Sequence, residues 1–201
     1  VSSPVTSDRY NRFYWTSADT YPQVAGGDLI PSSKQGDTLI AESQWNSNNE
    51  STKKAYRLGI PAPALPLEIQ QASGDPSDLI DVSEVLQLSY VYTYVSVFGE
   101  EGPPSIPSDV ISFEFGQEVL LTGIGKESED LAADPSYNFG NGALKRIYRS
   151  NTGSTDTQFQ FVDEIPFKQT FYVDTKDAAS LGEVLPSTTW VHPPNDDAYL
   201  Y

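Results

Sequence analysis

The chain of 201 residues has no cysteine, no methionine and one histidine. Without cysteine there is no disulfide framework and no thiolate metal site, and redox chemistry gives no reading of the compartment. The single histidine, His192, would have to serve any Ser-His-Asp triad, and a zinc site would be left with carboxylates for its other ligands. It lies in Trp190-Val191-His192-Pro193-Pro194, an extended segment in which a structural or exposed histidine is expected. No apolar run approaches the roughly 18 residues of a membrane span, and the residues after Val1 are too polar for a signal peptide. The missing methionine leads us to expect a processed product or a segment of a longer polypeptide. The abrupt stop at Tyr199-Leu200-Tyr201 favours the segment.

Basic residues are scarce as well. Twelve Lys and Arg stand against 28 Asp and Glu, for a net charge of -16. Residues 1–62 carry six acids and six bases, residues 63–142 fourteen acids and Lys126 alone, and residues 143–201 eight acids and five bases. So acidic a middle argues against specific binding to DNA or anionic lipid, because phosphate binding depends on Lys and Arg. It serves solubility, or it faces nucleic acid without adhering to it.

What the chain does have is 12 Tyr, 9 Phe, 14 Gly and 15 Pro. That mixture predicts many short strands broken by turns and no long helix. Residues 1–62 read as an extended arm with short strands. Arg9–Thr16 forms an aromatic run holding Phe13, Tyr14 and Trp15, and Ser43–Lys54 reads as a polar loop. Ile60-Pro61-Ala62-Pro63-Ala64-Leu65-Pro66 is extended by its prolines and marks a boundary. Strands are predicted at Leu67–Gln70, Tyr90–Phe98, Ser108–Phe115, Glu118–Ile124, Ala143–Ser150, Gln158–Ile165 and Thr170–Thr175. Asp78–Leu88 is ambiguous, and Gly125–Gly142 reads as an acidic loop. Strands at about ten-residue intervals indicate a sandwich or barrel.

The strand at Tyr90–Phe98 is apolar on both faces. Val91, Thr93, Val95 and Val97 suit a core, while Tyr90, Tyr92, Tyr94 and Phe98 require a second cover with hydrogen-bonding partners. That cover is either the domain itself or another chain, or the N-terminal arm. On the latter reading Tyr90, Tyr92, Tyr94, Phe13, Tyr14 and Trp15 form a subunit or arm interface.

Two stretches resemble fibronectin-type-III modules. Tyr92–Ser105, which ends in Gly99-Glu100-Glu101-Gly102-Pro103-Pro104-Ser105, resembles the penultimate strand and following loop; Leu144-Lys145-Arg146-Ile147-Tyr148-Arg149-Ser150 resembles a mid-domain strand. Their order is reversed, so the chain holds either two modules or one permuted sandwich. A wider resemblance adds Phe13–Thr16, Tyr56–Pro63, Phe159–Pro166 and Leu181–Trp190, and is to structural proteins of tailed-bacteriophage virions. It implies a neck or tail component, non-enzymatic, forming homo-oligomers with other virion proteins as partners, in a chain that continues past Tyr201.

The expected fold is therefore mostly β, with immunoglobulin- or fibronectin-III-like sandwich parts at residues 63–115 and 116–190. The arm 1–62 precedes them and an extended segment 191–201 follows. No catalytic, cofactor or metal residue is assigned, and no membrane contact is expected. The paired carboxylates Glu100/Glu101, Glu129/Asp130, Asp163/Glu164 and Asp196/Asp197 make poor catalytic dyads, since neighbours on a strand face opposite ways. Asp130, Asp134 and Asn138 offer oxygens to calcium, but at a spacing that matches no calcium loop. Gly123-x-Gly125 lacks the context of a phosphate loop. The alternative function is a secreted or displayed module binding glycan or a host receptor through Trp15, Trp45 or Trp190. A carboxylate glycosidase is the weakest reading.

Overall fold

The structure is a computed structural model and describes residues 8, 10, 12–17, 20–26, 55–72, 86–113, 118–152 and 157–190. These residues are mostly β, arranged in small antiparallel sheets with one short α-helix. Residues 78–85 of the ambiguous stretch, the loop Ser43–Lys54 with Trp45, and His192 lie outside the described residues.

Two compact units are formed. The described residues up to Gly59, with Asp134–Asn138, make the first. Here the aromatic run becomes β1 (Phe13–Ser17), which pairs with β2 (Thr20–Ala25); β3 (Tyr56–Arg57) adds to the far side of β2. The stretch read as an extended arm with short strands carries a three-stranded sheet. Arg57 binds it together: its guanidinium lies 4.8 Å from the Tyr21 ring centre, and its Nη1 donates to the Tyr137 hydroxyl at 3.2 Å.

The described residues of Ile60–Ala133 and Phe139–His192 make the second unit. One sheet runs β4 (Glu68–Ala72), β8 (Glu118–Thr122), β11 (Tyr172–Asp174), with β8 in the middle. The other runs β6 (Tyr90–Val95), β9 (Leu144–Thr152), β10 (Thr157–Pro166), with β9 in the middle. A small pair, β5 (Leu86–Leu88) with β7 (Ile111–Phe113), extends from β6. Strands from 63–115 and 116–190 are therefore interleaved, since β4 pairs with β8 and β6 with β9.

Strand β6 stops at Val95, three residues short of the predicted end. Ser96 causes the stop: its hydroxyl accepts from the Phe98 and Glu100 amides, and Gly99 takes φ +76°. The chain then returns beside β6 without regular pairing. Gly102, Ser105 and Ser108 donate their amides to Tyr94, Tyr92 and Tyr90, a step of three residues against two. Pro103, Pro104 and Pro107 carry no amide, which leaves no regular ladder for this edge to offer a further strand. The acidic loop at 125–142 contains α1 (Ser128–Ala133), whose first turn holds Glu129 and Asp130, where carboxylates favour a helix start.

Candidate functional site

Antiparallel register divides the β6–β9–β10 sheet into two faces. Tyr90 stands opposite Arg149, Tyr92 opposite Ile147 and Tyr94 opposite Lys145, all on the inner face. Val91, Thr93 and Val95 stand opposite Tyr148, Arg146 and Leu144 on the outer one.

The inner face is closed. Tyr90, Tyr92, Tyr94, Ile147 and Lys145 have 0% exposure, and Arg149 has 3%. Such burial calls for partners on the polar heads, and each polar side chain here has one, although Arg149 Nε itself is left without. Tyr90 donates to Asp174 Oδ2 at 2.9 Å, Tyr92 to the Leu65 carbonyl at 3.0 Å, and Tyr94 to Glu127 Oε1 at 2.6 Å. Tyr92 also accepts the Gly125 amide. Arg149 Nη1 donates to Asp174 Oδ2 at 2.7 Å, and Lys145 Nζ to the carbonyls of Ile124 and Gln169 at 2.7 and 2.8 Å. Phe139 and Phe167, stacked 4.4 Å apart, lie against the Tyr94 ring.

Burial pushes the Tyr92 hydroxyl up to about 12, with Glu127 adding to the effect. It lowers Lys145 to about 8 against the opposing pull of Glu127. Tyr90 and Tyr94 are also raised, by burial first and then by their carboxylate partners.

This corrects the tyrosine part of the expected interface. Tyr90, Tyr92 and Tyr94 leave no surface for another chain, and the partners above all belong to their own unit. Phe13, Tyr14 and Trp15 lie half-buried on β1 of the first unit, Trp15 opposite Gln23. Neither Lys145 nor Arg149 was singled out from the sequence. A signal was available: Lys145 and Arg149 alternate in one phase of β9 and Arg146 in the other, so whichever phase faces inward buries a cation.

The outer face is open over part of its area. Val91, Tyr148 and Leu185 form a buried cluster with Phe159 and Phe161 packed on it. Leu185 arrives on the segment 182–185, which pairs with the β10 edge: Phe161 donates its amide to Glu183, and Gly182 and Leu185 donate to Phe161 and Phe159. Beside this strap lies a polar row. A bulge between Phe161 and Asp163 shifts the register of β10, so that Glu164 falls opposite Arg146 and Asp163 opposite Ile147. Asp163 accordingly turns to the Tyr172 hydroxyl, and Glu164 to Arg146 Nε at 2.7 Å. The paired carboxylates 163 and 164 thus leave β10 on opposite sides.

Glu101 closes the row. Its Oε1 accepts from Thr93 at 2.7 Å and Tyr148 at 2.6 Å, and its Oε2 from Arg146 Nη1 at 2.7 Å. Burial and this carboxylate raise Tyr148. Burial opposes the Arg146 charge, and the two glutamates outweigh it. Between Glu101 and the strap lies a cavity of about 350 Å³, floored by Arg146, Tyr148 and Phe161 and flanked by Glu164, Glu183 and Val184.

Among the described residues no three His, Cys, Asp or Glu side chains converge as metal ligands. Asp134 instead accepts the Ser136 amide and hydroxyl, which hold its carboxyl below the usual range. No described helix is long and apolar enough to cross a membrane. A comparison with protein-family models finds no match, nor does a comparison with curated proteins.

Proposed function

We propose that this chain is a structural, non-enzymatic part of a tailed-phage virion, in the neck, tail tube or nozzle. It assembles there as a ring or tube of identical copies around the DNA path. The second unit is an immunoglobulin- or fibronectin-III-like sandwich whose strands follow one another in permuted order.

One observation carries the reading. β6, whose sequence resembles a late fibronectin strand, lies between β9, which resembles a mid-domain strand, and the returning segment 101–108. Neighbours C, F and G of an immunoglobulin-type sheet stand in that spatial order. The permutation would account for the reversed motifs, and the phage resemblance follows the order of the motifs along most of the chain. The inward polar groups suit a load-bearing role: Arg149, Tyr90 and Asp174 tie the two sheets together, and Lys145 ties two connecting segments. The acidic surface suits a channel that DNA passes without adhering.

Electron microscopy of the full chain tests the proposal. Rotationally symmetric rings or tubes are expected, and a monodisperse monomer at micromolar concentration would overturn it.

A further inference from the structure

The outer groove of the second unit holds more negative than positive charge. Three carboxylates, Glu101, Glu164 and Glu183, line it against one guanidinium, Arg146. Arg146 is already neutralised from both sides by Glu101 and Glu164. Lys176 adds a second positive charge, since its Nζ donates to the Val162 carbonyl and lies 5.9 Å from the Phe161 ring centre, so three carboxylates stand against two cations. Both oxygens of Glu101 are occupied. One oxygen of Glu164 and the whole Glu183 carboxylate make no hydrogen bond to another described residue.

The same groove is also lined by apolar residues. Val184 is 43% exposed, Phe161 is half-buried, and Pro186 completes the set. A ligand matched to this lining has a cationic head and an apolar stem a few carbons long. Lysine and arginine side chains have that form, since their methylenes lie on apolar surface while the head meets carboxylates. A neutral sugar is a poorer match, because Tyr148 is only 3% exposed and the Phe161 ring already has Lys176 Nζ over it and Tyr148 edge-on to it. An anion would meet the net negative charge.

We infer that this groove is a docking site for a lysine or arginine side chain presented by a neighbouring polypeptide. Two of the three carboxylates are held in place before binding: Glu101 by Thr93, Tyr148 and Arg146, and Glu164 by Arg146. Little side-chain order is therefore lost when the cation arrives. This inference rests on the groove alone and stands apart from the virion reading.

The test is an NMR titration of the isotope-labelled full chain with capped tripeptides carrying central lysine, arginine, norleucine or glutamate. The two basic peptides are expected to shift the amides of Tyr148, Phe161 and Val184, and the other two to leave them unmoved. Glu183→Gln, which removes no hydrogen bond or ion pair to a described residue, is expected to weaken binding about threefold, as for one exposed ion pair. Adding Glu164→Gln should bring the loss to about tenfold. Raising salt from about 0.05 to about 0.5 M should weaken the wild-type complex and affect the double variant less. Norleucine binding as well as lysine, a neutral saccharide shifting the same amides, or unchanged affinity in Glu183→Gln would each overturn the inference. So would butylamine binding as tightly as the peptides, which would make the site one for free amines.

Discussion

Arg149 Nη1 lies 2.7 Å from Asp174 Oδ2, and with side-chain exposures of 4% and 0% the pair joins β9 of one sheet to β11 of the other. Tyr90 and the Lys176 amide supply further hydrogen bonds to the same carboxylate. Removing one member of such a pair leaves a buried charge without its counterion, at a cost of about 3–5 kcal/mol. Asp174→Ala should therefore lower the urea-unfolding free energy by that amount. The double variant Arg149→Met, Asp174→Leu removes both charges and should lose less than either single variant. If the double variant loses as much as the two singles combined, the side chains are not coupled.

Tyr92 is fixed in the core on two counts, by its ring and by its hydroxyl. Tyr92→Phe strips the Gly125 amide and the Leu65 carbonyl of their partner and should cost about 1–2 kcal/mol. Tyr92→Ala also opens a large cavity and should cost about 3–5 kcal/mol. Any loss of assembly in Tyr92→Ala should then follow its loss of folded protein, measured by circular dichroism on the same sample. Weakened assembly at full folded content would return this face to an interface.

Most strand positions were legible because alternation and turn residues are local signals. Glu118–Ile124 and Gln158–Ile165 fall within two residues of β8 and β10 at each end. The helix Ser128–Ala133 was not legible: six residues give too little periodicity to stand out from an acidic loop. Pairing was only half visible. The tyrosine face announced a need for cover, but Asp174, Glu127 and Phe167 lie 84, 33 and tens of residues from it in sequence. The groove was hidden for the same reason, since Glu101, Arg146, Glu164 and Glu183 come from four separate segments. One clue was present in Phe161-Val162, two consecutive apolar residues that break the alternation of β10 where the bulge falls.

Lys145 and the buried tyrosines give stability a maximum in mildly alkaline solution. Lys145 titrates at about 8 in the folded chain and near 10.5 when unfolded, so across that interval the unfolded chain holds more protons. Stability then rises with pH, by roughly 3 kcal/mol from this residue alone. The tyrosines act in the opposite sense. Their folded values are raised, Tyr92 to about 12, so their contribution is complete below about 10 and is lost above it. Urea midpoints should rise between about pH 7 and 9 and fall by about pH 11. Lys145→Met should abolish the rise and keep the fall; a rise that persists in this variant would assign it to another group.

Gly125 and Gly99 separate the cost of backbone conformation from the cost of space. Both have positive φ, +60° and +76°. A Cβ on Gly99 meets nothing within 4 Å, so Gly99→Ala should cost only the left-handed penalty, about 1–2 kcal/mol. A Cβ on Gly125 would lie 2.8 Å from Lys145 Cε and Nζ and 3.0 Å from the Tyr94 hydroxyl. Neither neighbour can withdraw, because Lys145 is held by two carbonyls and Tyr94 by Glu127. Gly125→Ala should therefore cost at least about twice as much as Gly99→Ala, since overpacking adds about 1–3 kcal/mol to the backbone penalty. Chemical denaturation of the two variants side by side measures the difference. Equal losses would mean that Lys145 moves aside freely, and with it the claim that this lysine locks the connecting segments would fall.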